Sequence, residues 1–204
     1  MIDAATTLFL QSGYPGTSMD EIADAAGVSK RTLYNNWADK EHLFRTVVLE
    51  ASPVARQLAD EITDELAAPD DLHLALTSIA QRQIRAATSH RLVKLRRLLI
   101  GEAHRFPDLA AEYYDLAPGT VMAAMAAAFE RLARQGSLRV DDPTRAAEHF
   151  AFLVLGASLD RALFTVEADD DPPDERLDTV AEDGVRAFLR SYATDGSQPT
   201  RPAP

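Results

Sequence analysis

The chain has 204 residues, a length suited to one compact domain or two small ones. Hydrophobic residues make up 46% and charged residues 26%, which fits a folded globular chain and not a disordered one. Cysteine is absent, excluding disulfide frameworks, thiolate zinc sites, iron–sulfur ligation and cysteine nucleophiles. The 32 acidic residues outnumber the 21 basic ones, for a net charge of −11. That is the reverse of the basic footprint usual in a nucleic-acid binder. Net charge, however, is a property of the whole molecule, whereas a DNA groove is read by one small face. Two of the three lysines, Lys30 and Lys40, fall in one short segment. No apolar run reaches the roughly 18 residues that span a bilayer. The opening MIDAATTLFLQSG carries neither a basic leader nor a small-residue cleavage site, so a cytoplasmic protein without membrane contact is expected.

Alanine and leucine dominate, and no run of strict apolar alternation or Asn-Gly or Asp-Gly hairpin turn is present. Apolar residues recur at three and four, which predicts an all-α fold. The first helix places Ile2, Ala5, Leu8 and Phe9 on one face and stops at Gly13. Ser18 and Glu21 form a capping box that opens a short helix to Ala26, ended by Gly27. Ser29 caps the next, to about Trp37, and Asp39 caps a longer one. Pro53 either kinks that fourth helix or starts a fifth. Further helices are expected over about Leu72–Ala87 and His90–Arg105. Pro107 breaks the pattern, and a short turn follows to Tyr114. A helix from near Pro118 to Gln135 comes next, then one from Asp142-Pro143 to about Val166. Glu167–Pro173 reads as an acidic loop, 174–193 as a last helix, and Thr194–Pro204 as a disordered tail.

Ser18 to Trp37 has the layout of a helix-turn-helix. Gly27 allows a left-handed reversal, and small Ala23 allows a close crossing. Ile22, Val28 and Leu33 are spaced to fill the core between the two helices. The second helix carries Lys30, Arg31, Thr32, Tyr34, Asn35 and Asn36, hydrogen-bonding groups suited to bases and phosphates. Arg31 is the better base reader of the two cations, because a guanidinium pairs bidentately with guanine. The capped starts at Ser18 and Lys40 add helix-dipole positive ends. Bland readings compete: Ser18 as a cap first and a phosphate ligand second, Trp37 as packing, Tyr34 as a core ring with its hydroxyl at the surface, and Lys40 as an ordinary solvated lysine.

The stretch from Gly27 to Leu43, GVSKRTLYNNWADKEHL, resembles the signature of TetR-family transcriptional regulators. Upstream, Ala4-Ala5, Leu8-Phe9, Gly13-Tyr14, Thr17-Ser18 and Ile22-Ala23 also match, so the resemblance covers about Ile2 to Val48. It implies an N-terminal three-helix DNA-binding domain over 1–48 and a larger ligand-sensing and dimerisation domain over 49–193. It assigns Lys30 and Arg31 to base edges, and Thr32, Tyr34, Asn36 and Lys40 to phosphates. Thr17, Ser18, Ser29 and Asn35 complete the expected DNA face. The usual motif has His then Phe where this chain has Asn36 then Trp37, and members commonly carry a basic arm ahead of the first helix, where this sequence opens on Met1-Ile2.

For the rest of the chain, the resemblance implies a palindromic double-stranded operator, a homodimer and a small-molecule inducer, with repression as the family's usual mode and no cofactor or metal. The dimer seam is expected on the last two helices at Leu153, Ala157, Val180, Ala181, Gly184, Val185 and Phe188, whose small residues permit close approach. The same residues would equally close the monomer's own core. The pocket is expected around the Pro107 break at His104, Phe106, Tyr113 and Tyr114, and on the next helix at Met122, Met125 and Phe129. Ordinary core packing is the competing reading for the two methionines and Phe129. A di-iron helical-bundle enzyme would need paired Glu-x-x-His motifs, and none of the five histidines has Glu three residues before it. A purely architectural DNA binder would not need the long C-terminal part.

Overall fold

A computed structural model describes residues 1–165 and 176–194, so the expected acidic loop and all of the expected tail except Thr194 lie outside the described residues. Eleven α-helices are present among the described residues: α1 (Ile2–Ser12), α2 (Met19–Ala25), α3 (Lys30–Asn36), α4 (Lys40–Leu49), α5 (Ser52–Glu65), α6 (Leu72–Ala87), α7 (His90–Glu102), α8 (Pro107–Tyr114), α9 (Thr120–Arg134), α10 (Pro143–Phe164) and α11 (Arg176–Tyr192). The fold is all-α, as the three-four periodicity predicts. Among the described residues the nearest approach to a strand is one antiparallel bridge between Leu138 and Ala193.

The helix starts are set by local chemistry. The side chains of Ser18, Ser29, Asp39, Asp71 and Asp142 each accept a hydrogen bond from the third amide of the helix they open, at 2.8–3.2 Å. Each such cap is worth about 1 kcal/mol. Gly13 and Gly27 adopt φ of 71° and 65°, the left-handed region that lets the chain reverse after α1 and α2. Pro53 lies in the first turn of α5 and so starts a new helix without kinking α4.

Pro118 behaves differently from the expectation of a helix start. The chain runs from α8 into α9 through one π-helical turn, Asp115–Gly119, which holds Pro118 inside it. The wider turn accommodates a residue that has no amide hydrogen to give the ladder. The result is a nearly continuous rod from Pro107 to Arg134 and not two helices meeting at a break.

α1–α4 enclose a small core of Ala5, Phe9, Ile22, Ala23, Leu33, Leu43 and Phe44, all fully buried. The larger body packs α5 on α9, α6 on α11, and α10 on both α9 and α11. Its centre holds Phe129, Phe150 and Phe188, with ring centroids 4.8–5.7 Å apart. Arg97 on α7 donates through Nε to the Leu163 carbonyl at 2.9 Å, and also to the Ala162 and Thr165 carbonyls. It thereby satisfies the open carbonyls at the end of α10.

Candidate functional site

Two features stand out: the outer face of α3 and a cavity between the N-terminal helices and the rest. On α3, Lys30, Arg31, Thr32, Tyr34, Asn35 and Asn36 are all exposed, while Leu33 points into the core. Tyr34 is 49% exposed, so it stands out from the surface and is not the core ring considered above. Arg31 and Asn35 make no side-chain hydrogen bond among the described residues, leaving their full donor sets available. Lys30 pairs with Asp20 on α2 at 2.5 Å, and that carboxylate pushes its ammonium pKa up. Ser29 and Thr32 share a 2.8 Å bond between hydroxyls, and Asn36 donates to the Thr32 carbonyl at 2.8 Å. Ser18 accepts from the Glu21 amide while Glu21 accepts from the Ser18 amide and hydroxyl at 2.8 Å, a complete capping box. These bonds draw the Glu21 pKa down.

Two residues expected on the DNA face are tied into the chain itself. Thr17 is buried, and its hydroxyl donates to the Gly13 and Leu8 carbonyls at 2.8 and 3.2 Å. It ties the α1–α2 turn from inside. Lys40 reaches across 26 residues to donate to the Tyr14 and Thr17 carbonyls, both at 2.8 Å, with its ammonium 4.3 Å from the Tyr14 ring centroid. Two of its three donor hydrogens are thus used internally. Trp37 plugs the end of α3, with its indole N–H on Thr46 at 3.0 Å.

The junction between the two parts is aromatic. Phe106, which precedes α8, sits 4.8 Å from the Tyr14 ring and 5.5 Å from that of Phe44. The Arg105 guanidinium lies 5.2 Å from the Tyr14 ring centroid, so Tyr14 has a cation from each part beside it. Burial pushes the Tyr14 hydroxyl pKa up, with the Glu41 carboxylate adding to it. An Arg45–Glu112 pair at 2.9 Å joins α4 to α8.

Beside this junction is a cavity of about 440 Å³. Thr6, Leu10, Val47 and Glu50 wall it from the N-terminal helices. Val54, Ala55 and Leu58 come from α5, Gln83, Ala86 and Ala87 from α6, Leu92, Leu95 and Arg96 from α7, and Tyr113, Ala117, Pro118, Val121 and Met122 from the α8–α9 rod. Of the seven expected pocket residues, Tyr113 and Met122 line it. His104 and Tyr114 are exposed on the outside. Phe106 belongs to the junction cluster. Met125 is 2% exposed among core side chains, and Phe129 is stacked on Phe188, as the packing reading has it. The split falls within single helices, between Tyr113 and Tyr114 on α8 and between Met122 and Met125 on α9, so it is the packing of each helix that selects the side chain facing the cavity. Gln83 and Arg96 were not anticipated. A signal existed for Gln83: it interrupts the apolar register Leu76, Ile79, Ala80, Ile84, Ala87 on α6.

The expected dimer residues also divide. Ala181, Val185 and Phe188 are fully buried within the chain. Gly184 lies where α11 crosses α10: a Cβ there would sit 2.7 Å from the Leu153 carbonyl oxygen. These four close the monomer's own core and are not exposed to a second copy. Val180 is half-buried, and Leu153 and Ala157 are exposed. Beside the last two are residues not anticipated, Phe152 and Phe164, at 74% and 84% exposed.

Residues 1–47 match the family of bacterial regulatory proteins called tetR, and residues 74–194 match the C-terminal domain of AefR-like transcriptional repressors. A TetR-family regulator from Mesorhizobium loti MAFF303099 is 35% identical, with 95% of each chain covered and a TM-score of 0.86. The flavonoid-responsive regulator FrrA is 30% identical, again over 95% of each chain, with a TM-score of 0.73. The HTH-type transcriptional regulator YhgD of Bacillus subtilis is 35% identical over 82 residues, 40% of this chain and 43% of that protein, so the match spans under half of that relative's length. No helix among the described residues is long and apolar enough to cross a membrane. A helix-turn-helix with a free polar outer face, backed by a helical body with an apolar cavity, is here matched along nearly the whole chain: the protein belongs to the TetR family of DNA-binding transcriptional regulators.

Proposed function

We propose that this protein is a cytoplasmic homodimeric repressor that leaves a palindromic operator when a small, mostly apolar molecule fills the cavity. The observation that carries this reading is the composition of the cavity wall. Thr6, Leu10, Val47 and Glu50 belong to the DNA-reading half, while Gln83, Arg96, Tyr113 and Met122 belong to the other. A molecule bound there touches both halves at once, so its binding free energy acts directly on their relative orientation. FrrA, similar over 95% of the chain, is a flavonoid-responsive regulator, which supports a cavity ligand here.

In this reading Arg31 and Lys30 approach base edges, with Lys30 first leaving Asp20. Tyr34, Asn35, Asn36 and the hydroxyls of Thr32, Ser29 and Ser18 approach phosphates and flanking bases. Lys40 contributes its one remaining donor. The two heads enter successive major grooves about 34–36 Å apart, a spacing that requires two-fold pairing of subunits. Leu153, Ala157 and Phe164 share one face of α10 and form the pairing stripe, with Phe152 flanking it, because exposed large apolar side chains gathered on one helix mark a surface that is covered in the assembly. Selection of binding sites from random DNA, followed by footprinting, tests the proposal. Two protected half-sites in inverted repeat are expected, and selection of a single asymmetric half-site overturns it.

A further inference from the structure

We infer that the cavity selects its ligand by a hydroxyl, and that the class it takes is phenols: apolar aromatic molecules whose hydroxyl donates to Gln83 Oε1. The inference rests on the cavity being the ligand site. Its starting point is a polar atom left without a partner. Gln83 is 7% exposed on an otherwise apolar face of α6, and its Oε1 is buried and accepts no hydrogen bond among the described residues. The other buried polar side chain in the wall, Thr6, is satisfied, and so is the exposed Ser89 at its edge. The Thr6 hydroxyl donates to the Ile2 carbonyl at 2.9 Å and Ser89 to the Ala86 carbonyl at 2.9 Å. A buried acceptor without a donor is costly, and such atoms in folded proteins call for an explanation. Gln83 lines the cavity, and a turn of its amide brings the oxygen to the cavity surface, where a ligand hydroxyl supplies the missing donor.

Neighbouring groups narrow the class. Arg96 donates through one arm to the Ala87 carbonyl at 3.2 Å, one helical turn beyond Gln83, and through Nε to the Tyr113 hydroxyl at 3.1 Å. It thereby joins the Gln83 face of α6 to Tyr113 on α8. The Tyr113 hydroxyl accepts that bond and donates to no described residue, so its proton is available to a ligand oxygen. Arg96 makes no ion pair among the described residues, and Arg91 and a single carboxylate, Glu50, also line the cavity. This balance of two cations and one carboxylate opposes a cationic ligand. A phenol fits better than an aliphatic alcohol, being the stronger donor and bringing a flat apolar body to a wall of Leu92, Leu95, Val121 and Met122.

The test uses the full chain and two probes that differ by one methyl group, 2-naphthol and 2-methoxynaphthalene, measured by calorimetry and by melting temperature. The ether keeps the apolar body and lacks the donor. 2-Naphthol is expected to bind at least about tenfold more tightly than the ether, the effect of pairing a buried acceptor. Gln83→Leu is expected to bring the naphthol down to the ether's affinity and to raise the melting temperature of the unliganded protein, since it removes an unsatisfied buried amide. Met122→Trp, which fills the cavity, is expected to abolish binding of both probes. Equal affinity of the parent for the two probes overturns the hydroxyl selection and leaves the cavity reading standing. Binding that survives Met122→Trp, or no binding of either probe, overturns the cavity reading as well. Should Gln83→Leu fail to fold, the ratio of the two probes on the parent decides the matter alone.

Discussion

At the scale of single residues, Arg31 and Lys40 show why side chains of like charge in one motif need separate accounts. Arg31 is exposed with no competing partner among the described residues. Arg31→Ala is therefore expected to relax base preference at one position per half-site, costing about 1–3 kcal/mol per lost bidentate contact. Competition binding with operators mutated one base at a time reads this directly. Lys40 instead holds two carbonyls of the α1–α2 connection. Lys40→Ala is expected to lower the melting temperature as well as the affinity, and to flatten the salt dependence by less than the roughly one unit per subunit of a pure phosphate contact. An unchanged melting temperature with a full unit lost would return Lys40 to the role of a simple phosphate ligand. Gly184 is the third case. Its missing Cβ lets α11 cross close over α10: a Cβ there would sit 2.7 Å from the Leu153 carbonyl oxygen, which is backbone and does not move aside. Gly184→Ala is expected to destabilise the fold by about 1–3 kcal/mol in urea titration.

At the scale of elements, α10 and α11 were expected to share one dimer seam; the structure buries the expected α11 residues Ala181, Gly184, Val185 and Phe188 inside the chain and leaves Leu153 and Ala157 of α10 exposed. α11 is strongly amphipathic and places its apolar stripe, including Val185 and Phe188, inside its own chain. α10 is apolar on both sides: Ala146, Ala147, Phe150 and Val154 face inward, while Phe152 and Phe164 face out. Sequence periodicity reports that a face is apolar but not which neighbour covers it, so the two helices look equivalent before they are packed. The consequence is testable by pairing two substitutions. Phe152→Asp is expected to give folded monomers, with helicity retained by circular dichroism and half the mass by sedimentation. Phe188→Asp is expected to unfold the chain, because it places a charge in a sealed core. A monomer produced by Phe188→Asp with a normal melting curve would reverse the assignment.

At the scale of the molecule, the cavity and the aromatic junction both lie where the N-terminal helices meet the α6–α9 body. Phe106 and Arg105 grip Tyr14 from one side, and the cavity opens beside them against α1 and α4. A ligand that fills this space shifts the equilibrium only by as much as it prefers the arrangement that cannot bind DNA. The coupling is then reciprocal: ligand weakens operator binding by the same factor by which operator weakens ligand binding. Titrating each in the presence of the other is expected to give matching factors, and unequal factors at equilibrium would show that the two sites are not linked through one conformational change.

Much of this protein was legible before folding. Three-four periodicity, the Ser18, Ser29, Asp39 and Asp142 caps and the glycines at 13 and 27 determined where the helices lie, because those signals act within a turn or two of chain. The exposed polar face of α3 was equally readable, since a seven-residue helix with one buried leucine leaves its other side chains outside. What required the tertiary structure were the long-range placements: Lys40 reaching back across 26 residues, Phe106 leaving the expected pocket for the Tyr14–Phe44 cluster, and Met125 entering the core while Met122 lines the cavity. The physical reason is that local propensity fixes which side of a helix is apolar, whereas its neighbour is chosen by the packing of all the helices together.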